Sequence, residues 1–336
     1  MKTNIARKIT AFVKGNQTSL PWGGLGWAFC LLLLTACYHD QHEFKPDEYG
    51  NLPVGYLTPQ LIWDDPADAG SPIDDIRFTV SGTNGITVTH NFTNAEAAAL
   101  WLQQLPAGEY DLLVTVNMDE AHGYILENNS TRGTSRADEA TVTTALPDTR
   151  VSLAEPSSSP RQSWYAVTHA TVKEDEITVA EFRLQRLLSE LSVIARNVPT
   201  GAAITASVER VARDVLLTHR DGQGRYGVAD REDFLTVSLG ALAADPADAA
   251  TLRHDDHMLM PTAGGQPRCY LTLSVTTPDG THLNYLADAP RMECGKAYVV
   301  ELDYTKLRPY MLLSAFTIND WTDGWAITGE IINPDK

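Results

Sequence analysis

Cysteine is scarce in this sequence, with four among 336 residues. So few thiols cannot build a disulfide scaffold for a chain of this length, and stability has to come from packed apolar cores. No apolar run reaches the roughly 20 residues that a membrane-crossing helix needs. The longest, inside "GWAFCLLLLTACYHD", covers Trp27 to Ala36. Basic residues are few, 26 against 43 acidic ones, for a formal charge of −17. Such a chain is repelled by phosphate backbones and anionic lipid, which argues against nucleic acid as a partner. Catalytic signatures are missing as well: no G-x-S-x-G, no H-E-x-x-H, no phosphate-cradling glycine loop, no C-x-x-C. Neither catalysis nor a cofactor is expected.

What is present starts with that apolar run. Lys2, Arg7, Lys8 and Lys14 precede it with no acidic residue among them, and small residues follow it. Basic, then apolar, then small is the layout of a secretory signal peptide. The exit, Leu34-Thr35-Ala36-Cys37, looks like a bacterial lipobox, in which the chain is cut before Cys37 and that residue is acylated. An ordinary cleaved signal with an incidental cysteine, or an uncleaved anchor, are the alternatives. Each buried acyl methylene contributes about 0.8 kcal/mol, and two or three chains hold a protein on a bilayer where one does not. Residues 1–36 are therefore expected to leave, taking four basic residues and bringing the formal charge to −21. Residues 37–56, polar and rich in turn formers, read as a flexible tether.

Beyond the tether, period-two alternation dominates. "IRFTVSG" puts Ile76, Phe78 and Val80 on one face, and "ITVTHNF" does the same for Ile86, Val88 and Phe92. "TNG" between them signals a hairpin. "GEYDLLVTVNM" continues with Tyr110, Leu112, Val114 and Val116, as expected of antiparallel strands with one buried face. "TNAEAAALWLQQLP" interrupts the pattern: Thr93 and Glu96 have capping-box spacing, so one short crossover helix is expected, with Trp101 in the core. Residues 127–163 are poor in large apolar side chains and read as a long loop, functional or disordered. Strands resume to about residue 186, and a second set follows from 187 to 336. The sequence thus predicts an all-β protein of two tandem β-sandwich domains, 57–186 and 187–336. "GEYDLLVTV" and "GKAYVVELDY" echo each other in placing a Gly and a Tyr before an alternating strand.

Candidate sites are few. If the strands at 269–277, 281–287 and 296–304 pair in order, Cys269 and Cys294 reach the same sheet edge, where a disulfide is geometrically open to them; two free thiols are the alternative. "RHDDHML" gathers His254, Asp255, Asp256 and His257, but neighbours on a strand point to opposite faces. A solvated turn is the better reading than a metal site, and no metal is expected. "NDWTDGW" lacks the later acidic ligand of a calcium loop, and His39, Asp40 and His42 sit in the tether. Trp321 and Trp325, in or beside a turn, are candidate glycan-facing aromatics, with core packing as the alternative.

Four features together resemble a known family: the lipobox, the "LPAGEYDLLVTVN" strand, "RLLSELSVIARNV" at the start of the second half, and the closing "FTINDWTDG". They are similar to the fimbrillin-like lipoproteins of Bacteroidetes, and among these to the FimB/Mfa2-type anchor subunits of type V pili. The resemblance implies transthyretin-like (Greek-key) sandwiches, a lipid anchor on the outer membrane, surface exposure, fimbrillin-type pilus subunits as partners, and no catalysis. Stalk subunits of that family lose their leader after an arginine. Here no arginine lies between Cys37 and Arg77, and Arg77 falls within an expected strand, which favours an anchor that keeps its lipid. The alternative function is a glycan-binding surface lipoprotein of a carbohydrate-uptake system, resting on Trp321 and Trp325.

Overall fold

A computed structural model describes residues 52–129, 146–230 and 233–307, with strand backbone at 312–314, 317–319 and 324–325. Cys37 and Trp321 lie outside the described residues, and of Trp325 only the backbone is described. The architecture is all-β with sandwich-like packing, as the alternation predicts.

The first strands are β1 (Val54–Trp63), β2 (Ile76–Gly82) and β3 (Thr87–Phe92). Helix α1 (Ala95–Ala99) leads to β4 (Gln103–Pro106), β5 (Gly108–Val116), β6 (Tyr124–Asn129) and β7 (Asp148–Leu153). Then come β8 (Trp164–Val172), β9 (Ile177–Arg186), β10 (Ser189–Arg196), β11 (Ala203–Ala212) and β12 (Asp214–Arg220). After them run β13 (Tyr226–Ala229), β14 (Phe234–Ala241), β15 (Ala243–Asp245) and β16 (Asp248–Leu259). The chain continues through β17 (Cys269–Thr276), β18 (His282–Ala289) and β19 (Ala297–Asp303). Short segments β20 (Leu312–Ser314), β21 (Thr317–Asn319) and β22 (Gly324–Trp325) follow.

Four sheets result. A seven-stranded sheet has the order β3-β2-β5-β8-β9-β1-β4, and a six-stranded one the order β15-β16-β10-β19-β21-β22. The others are β14-β11-β17-β18-β20 and β13-β12-β7-β6. Residue 187 falls where the chain leaves the seven-stranded sheet for the six-stranded one. The four-stranded sheet nevertheless joins β7 to β12, and one apolar cluster runs from Leu113, Tyr124 and Val151 to Leu191, Val208 and Leu273.

Two compact units divide the described chain. The small one comprises β1 up to Leu57, Gln103–Ala107 and the β8–β9 turn at Thr171–Thr178. Within it Val54 pairs with Pro106, and Tyr56 N–H donates to the Glu176 carbonyl at 2.9 Å. The large unit holds the remaining residues. There the expected hairpin forms, with Ile76 opposite Phe92 and Ser81 opposite Thr87, and Ile76, Phe78 and Val80 buried. Phe78 stacks on Trp101 (5.4 Å between ring centres) and meets Phe182 at 5.3 Å, so Trp101 is a core residue.

Several expectations are corrected. Helix α1 is capped by Asn94, whose side chain accepts from Ala97 N–H at 2.8 Å, not by Thr93, and it ends before β4. The expected loop 127–163 holds β7, where Thr149, Val151 and Leu153 turn inward in alternation. Residues 130–145 of that loop lie outside the described residues. Strand β5 is buried on both faces rather than one, because Asp111, Leu113 and Thr115 are covered as well. The meander also breaks: β17 pairs with β18, Cys269 opposite Ala289, but β19 crosses to the other sheet and runs parallel to β10.

Candidate functional site

That crossing settles where the two thiols sit. Cys269 begins β17, while Cys294 precedes β19 in a different sheet. Both are free thiols, which corrects the expectation of a shared edge. Cys269 Sγ lies 2.8 Å from Thr262 Oγ1, and burial raises its pKa; burial pushes Cys294 up to about 12.

The "RHDDH" stretch lies within β16 rather than a turn. A bulge opposite Ser192 separates the pairs Leu191–His257 and Val193–His254, and Asp256 takes a left-handed φ of 53°. His254 Nε2 meets His257 Nδ1 at 3.1 Å, and Arg253 bonds Asp255. Burial, then the Asp256 charge, push Glu190 up to about 7; burial, then His254, push His257 down to about 4. Among the described residues no group of three or more His, Cys, Asp or Glu is arranged to hold a metal ion.

A cleft of about 960 Å³ opens in the large unit. Its floor is an ion pair between the two strand-end segments 64–68 and 184–186. Arg186 Nε donates to Asp68 Oδ2 at 2.8 Å and Nη2 to Oδ1 at 2.7 Å. Trp164 Nε1 adds a third donor at 2.8 Å, and both charged side chains are 7% exposed. On the wall, Arg150 bridges Asp214 (3.2 Å) and Asp230 (3.1 Å), and the Arg220 guanidinium lies 4.4 Å over the Tyr226 ring. The buried Tyr165 hydroxyl donates to the Tyr226 carbonyl at 2.9 Å, and burial raises its pKa well above the ordinary value. The cleft is thus lined by charges that pair with one another, and His219, also on the lining, places Nε2 2.9 Å from Asp148.

Two histidines outside the cleft are clamped by carboxylates. His169 lies 2.9 Å from Asp111 and 2.6 Å from Glu109; the hydrogen bond to Asp111 outweighs burial and, with Glu109, raises its pKa. For His122, burial opposes the charge, but Asp119 at 2.5 Å and Asp74 at 3.2 Å raise the pKa overall. A histidine whose pKa is raised on folding stabilises the native state fully below its unfolded pKa. That contribution fades as pH rises through the folded value. Wild type is therefore expected to exceed His122→Gln in urea stability by about 1 kcal/mol at pH 5.5 and by less at pH 8.5. Equal differences at both pH values would count against the clamp.

Sheet edges are the remaining surfaces. Strand β3, at one end of the seven-stranded sheet, is mostly exposed, and β14 ends the five-stranded sheet with Ser238 outward and Val237 and Leu239 buried. An exposed edge of this type can accept an added strand. Among the described residues no helix is long and apolar enough to cross a membrane.

The family model of fimbrillin-A associated anchor proteins Mfa1 and Mfa2 matches residues 84–323. The chain belongs to this anchor family. No protein of curated function matches it. Among solved structures, the fimbrial anchor protein Mfa2 of Porphyromonas gingivalis is 13% identical with a TM-score of 0.46, covering 81% of this chain and all 100% of its own. An adhesin candidate from Bacteroides thetaiotaomicron is 13% identical with a TM-score of 0.48, over 82% of this chain and 99% of that one. A polysaccharide-binding candidate of the same species is 14% identical with a TM-score of 0.49, over 83% and 100%. The anchor family implies association with fimbrial subunits at the cell envelope.

Proposed function

We propose that this chain fastens a fimbria to the outer membrane as a lipid-tethered, non-catalytic anchor subunit. Acyl chains on Cys37 hold it. The polar residues ahead of β1 space it from the bilayer, in place of the whole of 37–56, since Val54–Tyr56 belong to β1. The domains that follow, divided near 187, engage fimbrillin-type subunits by strand addition at a sheet edge. The single observation that carries this reading is the anchor-family match over 84–323 in a chain whose apolar leader ends at Leu34-Thr35-Ala36-Cys37. The open edges of β3 and β14 support it, since a strand added there gains main-chain hydrogen bonds along its length.

Cys37→Ser, carried behind a secretory leader that is cut without a lipobox, removes the acylated sulfur and with it the whole hydrophobic attachment. Replacing wild type by this variant in the native host is expected to move at least about nine-tenths of the protein from the membrane pellet to soluble fractions. Fimbriae shed into the medium should rise in parallel. Retention of Cys37→Ser in the pellet, with unchanged fimbriae, would falsify the anchoring reading.

A further inference from the structure

The segment Ala154–Gln162, "AEPSSSPRQ", crosses the seam between the two sheets formed by β14 and β16 without joining either. Its serines do the crossing. Ser238 N–H, on β14, donates to Ser157 Oγ at 3.3 Å, and Met258 N–H, on β16, donates to Ser159 Oγ at 2.8 Å. A turn closed by the Ser158 N–H on the Glu155 carbonyl at 2.9 Å precedes Ser159. Ser158 Oγ donates to the same carbonyl at 2.6 Å. Strand β15 covers β16 only up to Arg253, so Met258 belongs to a stretch of edge that no described strand pairs.

The contacts at the two ends are of a different quality. Tyr124 Oη, buried, donates to the Arg161 carbonyl at 2.6 Å. Gln162 Oε1 accepts from Leu188 N–H at 3.0 Å, while its Nε2 donates to the Leu188 carbonyl at 3.3 Å. At the other end Ala154 N–H donates to the Gly123 carbonyl at 3.0 Å. The ends are pinned by main-chain and buried partners, whereas Glu155, Ser157 and Ser159 are exposed. Pro156 and Pro160 bracket the serines and lack N–H donors, so the segment cannot extend a ladder of its own. It satisfies the edge with side-chain oxygens alone.

We infer that this strap is a displaceable latch on the β14–β16 seam, and that it yields to an extended segment of another fimbrial subunit. An incoming strand offers β14 a run of main-chain hydrogen bonds in exchange for one side-chain contact per strand. Phe234, 48% exposed at the start of β14, gives such a segment an apolar contact beside the edge. The inference rests on the anchoring reading for its partner, but not for the latch itself.

The test uses Ser157→Ala/Ser159→Ala, which removes both caps at exposed positions. In purified protein, amide exchange at Ser238 and Met258 should quicken about five- to tenfold, with core amides of β11 and β17 unchanged. Unaltered exchange at both amides overturns the latch. With fimbriae sheared from the host's cells as the probe, the double variant should be captured about five- to tenfold faster than wild type. Equal or slower capture also overturns it, since a strap that merely supports the fold would not speed association when weakened. If neither protein is captured, the anchoring reading and the partner fall together, while the exchange data still decide whether the strap is a latch.

Discussion

Arg186→Met is expected to lower the unfolding free energy by about 3–5 kcal/mol, measured by urea denaturation of protein beginning at residue 38. The side chain is 7% exposed and holds Asp68, equally buried, through two short charge-assisted bonds. Removing the cation leaves a carboxylate in the interior with Trp164 Nε1 as its chief donor. The penalty therefore comes from the stranded charge more than from the lost attraction. The consequence is a specific non-additivity. Arg186→Met/Asp68→Leu takes both buried charges away and is expected to recover most of the loss, leaving about 1–3 kcal/mol for the unpaired indole N–H and for Asp65, whose carboxylate lies 3.2 Å from Arg186 Nη2 in the wild type. A loss below about 1 kcal/mol for the single variant would mean that water reaches the pair through the cleft.

Gly227→Ala is the second large effect, at about 3–5 kcal/mol. Gly227 has φ +89°, and a Cβ there would lie 2.0 Å from Tyr165 Oη and 2.7 Å from Cζ. Tyr165 is 2% exposed, so its ring has nowhere to retreat, and shifting it breaks the bond to the Tyr226 carbonyl. Gly240 is the control: φ is +82° but no atom lies within 4 Å of its would-be Cβ, so Gly240→Ala should cost only about 1 kcal/mol of backbone strain. Placing Gly227→Ala in a Tyr165→Phe background should shrink its cost by about 1–2 kcal/mol. If the two glycine variants prove equally damaging, the backbone and not the tyrosine governs the site.

The hairpin of β2 and β3 was legible because three signals agree there: buried Ile76, Phe78 and Val80 at every second position, Phe92 and Val88 in register opposite Ile76 and Val80, and a short turn between. Strand β7 was hidden because "DTRVSL" carries only two large apolar residues, and its burial depends on β12, some sixty positions away. In "ASVERVARDVLL" the chain passes from β11 to β12 at Arg213 and changes sheets, though the apolar rhythm barely falters. Periodicity reports which face is covered, not which strand lies alongside. Both tyrosines of the repeated Gly–Tyr strand pattern, Tyr110 and Tyr298, are buried, yet they sit in different sheets. The Asp68–Arg186 pair joins residues 118 apart, and no local pattern marks either member. Sequence-based site expectations covered Cys37, the Cys269–Cys294 pair and two tryptophans, and missed the cleft for the same reason: a lipobox is written in consecutive letters, while a cleft is assembled by topology.

Strand β10 pairs in parallel with β19, from Glu190 with Ala297 to Arg196 with Asp303, across 107 positions of sequence. A chain emerging from its N-terminus thus leaves Leu191 and Val193 without their final neighbour until nearly all of it has been made. Such late pairing slows folding and leaves sticky intermediates waiting. A truncation before residue 297 should accordingly aggregate rather than yield a smaller stable protein.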